Sequence, residues 1–135
     1  ENRVSEIKYI KEKVNAGAQV LLSQLFFDNE QFFRFVEDCR IAEINVPIIP
    51  GIMPVINAAQ IKRMITTCGA TFPTRFQKII NKYENNKEAL FDAGMSYALS
   101  QIIDLLVSDI AGIHLYTMNN PIIARKICEG IKNII

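Results

Sequence analysis

The sequence predicts an α/β protein in which parallel strands alternate with helices. Two observations predict it. Three short apolar runs, "AQVLLSQLFF" (18–27), "NVPIIPGIMPV" (45–55) and "GIHLYT" (112–117), are each followed by residues whose apolar positions recur at helical spacing. The connections between the runs are helical rather than tight turns, as parallel pairing and right-handed crossovers require.

Each element has a local reason. "EIKYIKEKVNAG" places Ile7, Ile10 and Val14 on one helical face, with Lys11 and Lys13 in the last turns and Gly17 as the C-terminal cap. "AQVLLSQLFF" is too short and too apolar for a surface helix and reads as a buried strand. "DNEQFFRFVEDCRIAE" brings Phe32, Phe35, Val36 and Cys39 onto one face, with Asp28 or Asn29 as cap. Phe26, Phe27 and Phe33 are expected in the core. The second strand holds Pro47, Pro50 and Pro54. Proline is disfavoured in a central strand, so the strand is expected to centre on Ile48 and Ile49, with "PGIMP" as the loop leaving it.

A helix is expected from about Asn57. In "TFPTRFQKIINKY", Pro73 belongs at or near a first turn, with Thr71 or Thr74 as cap. "NKEALFDAGMSYALSQIIDLLVSD" then runs for roughly six turns. Gly94 inside it costs about 1 kcal/mol against alanine, so a close packing partner or a kink is expected there. "GIHLYT" is the third strand. "NNPIIARKICEGIKNI" is the last helix, with Asn119 or Asn120 as cap and Pro121 at its first position.

Bulk properties exclude several classes. Half of the 135 residues are apolar and 21% are charged, which describes a folded domain. Fifteen basic residues against fourteen acidic ones leave no basic excess for nucleic acid. One histidine and three scattered cysteines, Cys39, Cys68 and Cys128, argue against a zinc site and for a reducing, cytoplasmic setting. No apolar run is read as long enough to cross a membrane. The chain opens without a methionine or a signal-peptide core, as a piece of something longer would.

Two parallel architectures compete. A doubly wound sheet would often show a glycine-rich turn, and neither G-x-G-x-x-G nor G-x-x-x-x-G-K-[ST] is present. A (β/α) barrel takes roughly 250 residues, so three strand–helix units would be under half of one. In a barrel, chemistry gathers at the C-terminal strand ends. Gln24 and Asp28 follow the first strand, Asn57 and Gln60 the second, and His114, Tyr116, Thr117, Asn119 and Asn120 the third. These are mostly amides and hydroxyls, with no carboxylate pair and no Ser-His-Asp set. Amides donate and accept together, which suits the edge of a flat heterocycle such as a pterin or flavin.

"GAQVLLSQLFFDNEQFFRF", "PIIPGIMPV" and "GIHLYTMNNP" together resemble three consecutive signatures of the methylenetetrahydrofolate reductase family, in order and across the chain. The resemblance implies a (β/α)8 TIM barrel carrying FAD, with residues 1–135 as its C-terminal portion and the N-terminal half not present. It implies a reductase of one-carbon metabolism and methionine biosynthesis. NADH or NADPH would reduce the flavin, which then reduces 5,10-methylenetetrahydrofolate to 5-methyltetrahydrofolate. The family's catalytic glutamate, flavin-adjacent aspartate and most flavin contacts belong to the first half, so the segment alone is expected to be inactive. A homo-oligomer in full length is expected, with no nucleic-acid or membrane partner.

Carried over by position, Gln24 matches a strand glutamine that hydrogen-bonds the pterin, and Gln60 a second substrate contact. Met64 matches an apolar side chain on the ligand, Lys13 a lysine near the flavin phosphates, and Glu6 an acidic position close by. Asn120 departs from the family: some members have arginine there, so Asn120 is either a substrate contact or a helix cap, with Arg125 one turn on as a substitute cation. His114 and Tyr116 match residues that support structure. The competing reading is a non-catalytic α/β binding or interaction domain derived from such a barrel.

Overall fold

The computed structural model describes residues 2–68 and 72–135. Thr71, one of the two candidate caps above, lies outside the described residues. Helix α1 (Asn2–Asn15) leads into β1 (Leu21–Leu25), α2 (Asn29–Ile41) and β2 (Ile48–Ile52). After β2 come α3 (Ala58–Arg63), a π-helical turn (Met64–Cys68), α4 (Thr74–Tyr83) and α5 (Lys87–Val107). Strand β3 (His114–Leu115) and α6 (Pro121–Ile131) close the order. The strands form one parallel sheet in the order β1-β2-β3. Sequential parallel strands with intervening helices are the repeating unit of a (β/α) barrel.

The caps follow local chemistry. Asp28 accepts from the Glu30 amide, Asn57 from Gln60, Asn86 from Ala89 and Asn120 from Ile122. Each satisfies one backbone donor that the helix leaves open. Gly17 ends α1 with φ +116°, a conformation that favours glycine. Helix α4 differs from expectation. Thr74 is its first residue, Pro73 takes the cap position and, among the described residues, no side chain caps it. The Gln77 amide instead donates to the Phe72 carbonyl, 2.8 Å away.

Strand β2 corrects a second expectation, because Pro50 and Gly51 lie inside it. The Ile52 carbonyl accepts from the Tyr116 amide, so by alternation Pro50 also faces β3. That strand begins only at His114, opposite Gly51. The ladder therefore has no place for the N–H that Pro50 lacks.

Helices α5 and α6 cover one face of the sheet. Ile52 packs there with Ile102 and Leu105 of α5 and Ile123 and Ile127 of α6. Such side chains stabilise the fold by about 1.5–3 kcal/mol each. A second cluster joins Phe27, Met53 and Val55 to Ile61, Met64, Phe76 and Leu90. Gly94 is in close contact rather than at a kink site: a Cβ on it would fall 1.8 Å from the Val55 carbonyl oxygen.

The sequence reading that no apolar run reaches membrane-spanning length is also corrected. Helix α5 has 21 residues and holds an 18-residue stretch of mean hydropathy 1.3, enough by length and composition to cross a membrane. Its apolar stripe of Leu90, Met95, Ala98, Ile102 and Leu105 is instead buried within the protein.

Candidate functional site

The C-terminal end of β1 is irregular. Leu22 lies opposite Ile49, but the next matched pair is Leu25 with Gly51, so β1 carries one residue more than β2 over this interval. Hydroxyls hold this bulge. The Gly51 amide donates to Ser23 Oγ at 2.9 Å, where a regular ladder would offer a carbonyl. The Ser23 hydroxyl donates to the Gln24 carbonyl at 2.8 Å. The Tyr116 hydroxyl reaches across from the end of β3 to the Ser23 carbonyl at 3.2 Å. Its ring lies so close over Gly51 that a Cβ there would stand 2.5 Å from Tyr116 Cε2. The His114 ring packs edge-on against Tyr116, with centroids 4.6 Å apart.

Beyond the bulge, α5 ties down the exit of β1. The buried Gln101 amide donates to the Phe26 carbonyl at 2.9 Å, and the Tyr97 hydroxyl donates to the Phe27 carbonyl at 2.6 Å. Burial pushes the Tyr97 phenol above its ordinary range; Arg75 opposes this and Asp28 adds to it. Two consecutive left-handed residues, Met118 (φ 51°) and Asn119 (φ 61°), turn the chain off β3 towards the Asn120 cap.

A cleft of about 480 Å³ runs along the free edge of β1, between α1 and α2. It is walled by Ile10, Leu21, Leu22 and Phe35, and its polar groups include Glu6, Lys13, Ser23, Gln24 and Gln31. Three of the six residues matched to the family, Gln24, Glu6 and Lys13, thus line the same cleft. Gln24 is exposed there, in a volume within the usual range for small-molecule sites. An amide, a cation and a carboxylate on apolar walls can bind and orient a flat polar ring.

The other three residues have local roles. Gln60 Oε1 accepts from the Ile56 amide at 2.9 Å, while the Gln60 amide donates to the Asn57 cap, so both side chains serve the start of one helix. Met64 is buried in the second cluster. The Asn120 side-chain oxygen accepts from Ile122 at 3.0 Å as the cap of α6, and Arg125 is exposed on that helix. Sequence reasoning missed Ser23 as the hydroxyl that shapes the strand end, and missed Gln101 altogether. The one signal for Ser23 was its place beside Gln24.

Comparison with known proteins gives a consistent result. The family model described as methylenetetrahydrofolate reductase matches residues 1–132. The Arabidopsis thaliana protein named methylenetetrahydrofolate reductase (NADH) 1 is 38% identical over 119 residues, which are 88% of this chain and 20% of that protein. A probable methylenetetrahydrofolate reductase (NADPH) of Caenorhabditis elegans is 34% identical over 94% of this chain and 19% of its own. The 5,10-methylenetetrahydrofolate reductase of Buchnera aphidicola (Schizaphis graminum) is 30% identical over 95% of this chain and 44% of its own. The chain therefore spans about a fifth of the plant and nematode relatives and under half of the bacterial one. Among solved structures, an uncharacterized Clostridium thermocellum protein that binds two copies of 5-methyl-5,6,7,8-tetrahydrofolic acid superposes with a TM-score of 0.67. The superposition covers 98% of this chain and 49% of that one at 20% identity, a likeness of fold. Matched over nearly its whole length, the chain belongs to the methylenetetrahydrofolate reductase family.

Proposed function

We propose that this chain is the C-terminal half of a (β/α)8 flavoprotein barrel. The whole protein would reduce 5,10-methylenetetrahydrofolate to 5-methyltetrahydrofolate with NADH or NADPH. It would work in a reducing, cytoplasmic setting as a homo-oligomer. The observation that carries the reading is Gln24 standing exposed on the first strand of a parallel β1-β2-β3 sheet, within a family match over residues 1–132.

Side chains beside β1 have chemistry suited to parts of a flavin nucleotide and a folate. Lys13 supplies a cation for phosphate, Ile10 and Leu22 supply apolar wall, and Gln24 supplies a donor and an acceptor for a pterin edge. When bound, FAD would supply the redox chemistry between the nicotinamide and the folate. Gln24 would orient the pterin and Lys13 would anchor the cofactor. The catalytic acid would come from the other half of the barrel, so residues 1–135 alone would bind weakly and catalyse nothing.

The test uses the whole protein encoded by the gene that carries this segment. It should purify yellow, retain flavin through gel filtration, and oxidise a reduced nicotinamide when an acceptor is added. Its folate product should be 5-methyltetrahydrofolate. A colourless protein that oxidises no nicotinamide would refute the reading. If such a protein still bound folate, the non-catalytic binding domain would replace it.

A further inference from the structure

We infer that Ser23 and Tyr116 are positioning residues for Gln24, acting through the β-bulge that they hold together. The inference rests on the proposed contact between Gln24 and the pterin. Three hydrogen bonds converge on the two residues of the bulge. Gly51 N–H donates to Ser23 Oγ at 2.9 Å, Ser23 O–H donates to the Gln24 carbonyl at 2.8 Å, and Tyr116 O–H donates to the Ser23 carbonyl at 3.2 Å. The first and third replace the Gly51 N–H to Ser23 carbonyl bond that a regular parallel ladder would make, and the second ties down the Gln24 carbonyl.

The bulge sets the register around Gln24. Without the extra residue, Gln24 would pair with Gly51, and Leu25 would pair with Ile52 on the helix-covered face. With it, Leu25 pairs with Gly51 and packs in the cluster with Tyr116 and Met53, and Gln24 falls in the unmatched interval, exposed. Gly51 belongs to the same device, because any side chain there would displace the Tyr116 ring from Ser23. Two hydroxyls, one in β1 and one just past β3, thus hold the backbone from which the Gln24 side chain leaves. A site whose supporting contacts loosen loses ligand orientation before it loses its fold.

The experiment measures the calorimetric Kd for 5-methyltetrahydrofolate, and the melting temperature, in the whole protein and its variants. Gln24→Leu should weaken binding about tenfold, as loss of a ligand hydrogen bond with a buried partner does. Ser23→Ala and Tyr116→Phe should each weaken it about fivefold. Ser23→Thr, which keeps the hydroxyl, should restore binding. Combined with Gln24→Leu, neither Ser23→Ala nor Tyr116→Phe should weaken binding further, because both act through Gln24. Wild-type affinity in Gln24→Leu would overturn the pterin contact and this inference with it. A weakened Gln24→Leu beside unchanged Ser23→Ala and Tyr116→Phe would overturn the positioning role alone. So would fully additive losses in the double variants. Tyr116→Phe keeps its ring packing, so it decides the matter if Ser23→Ala does not fold.

Discussion

Gly94 of α5 abuts the carbonyl of Val55, just past the end of β2, so closely that a methyl group would stand 1.8 Å from that oxygen. The contact presses the longest helix onto the end of the central strand. Glycine's weakness as a helix former is offset there by an approach that no other residue allows.

Gly94→Ala should therefore destabilise the fold by about 3 kcal/mol, although alanine is the better helix former. Chemical denaturation of the purified protein measures this. A midpoint equal to or above wild type would mean that α5 and Val55 are not in contact.

Gln101 provides a second test of the exit from β1. Its amide is the buried partner of the Phe26 carbonyl. Gln101→Leu keeps the volume and strands that carbonyl, at a cost of about 1–3 kcal/mol. Tyr97→Phe should cost less, about 1 kcal/mol, since its carbonyl partner at Phe27 lies in a partly buried site. Equal stability of Gln101→Leu and wild type would show that the Phe26 carbonyl finds another donor.

The fold's pH dependence should appear on the alkaline side. Burial raises the Cys39 thiol above its ordinary range, with Asp38 and Glu6 adding to the effect. Burial likewise raises the Tyr97 phenol. Both groups are neutral below their unfolded values, where the stability they contribute is complete. As pH climbs past about 8.5 for the thiol and about 10 for the phenol, the unfolded chain releases protons that the folded chain keeps. Stability then falls. Thermal melts from pH 7 to pH 10.5 should show this loss, and Cys39→Ala should make the early part shallower. A melting temperature flat across that range in wild type would contradict it.

Asn120 separates capping from ligand contact. Asn120→Ala should lower stability by about 1 kcal/mol, and Asn120→Asp should recover most of it, because either side chain can accept from Ile122. The Kd for 5-methyltetrahydrofolate in the whole protein should change less than twofold in Asn120→Ala. A large loss of affinity at unchanged stability would return Asn120 to the substrate site.

What was legible in the sequence was chiefly what is local. Asp28 before α2, Asn120 and Pro121 at α6, and Gly17 after α1 follow from hydrogen bonding and φ preferences within a few residues. Pro50 misled because its tolerance depends on where β3 begins, more than sixty residues later. The bulge could not be read from β1 at all, since Gly51 and Tyr116 create it from two other strands. At the site, motif position brought out Gln24, Glu6 and Lys13, which do share a cleft. Gln60 and Asn120 carry the same amide chemistry, but helix starts use their oxygens. Met64 is apolar, and its neighbours enclose it.

The most direct measurement is a structure of the whole protein with 5-methyltetrahydrofolate bound. The account predicts the Gln24 amide within hydrogen-bonding distance of the pterin ring, about 3 Å, at the C-terminal end of β1 with the bulge intact. A pterin bound away from β1, or a Gln24 side chain turned from it into solvent, would contradict the account.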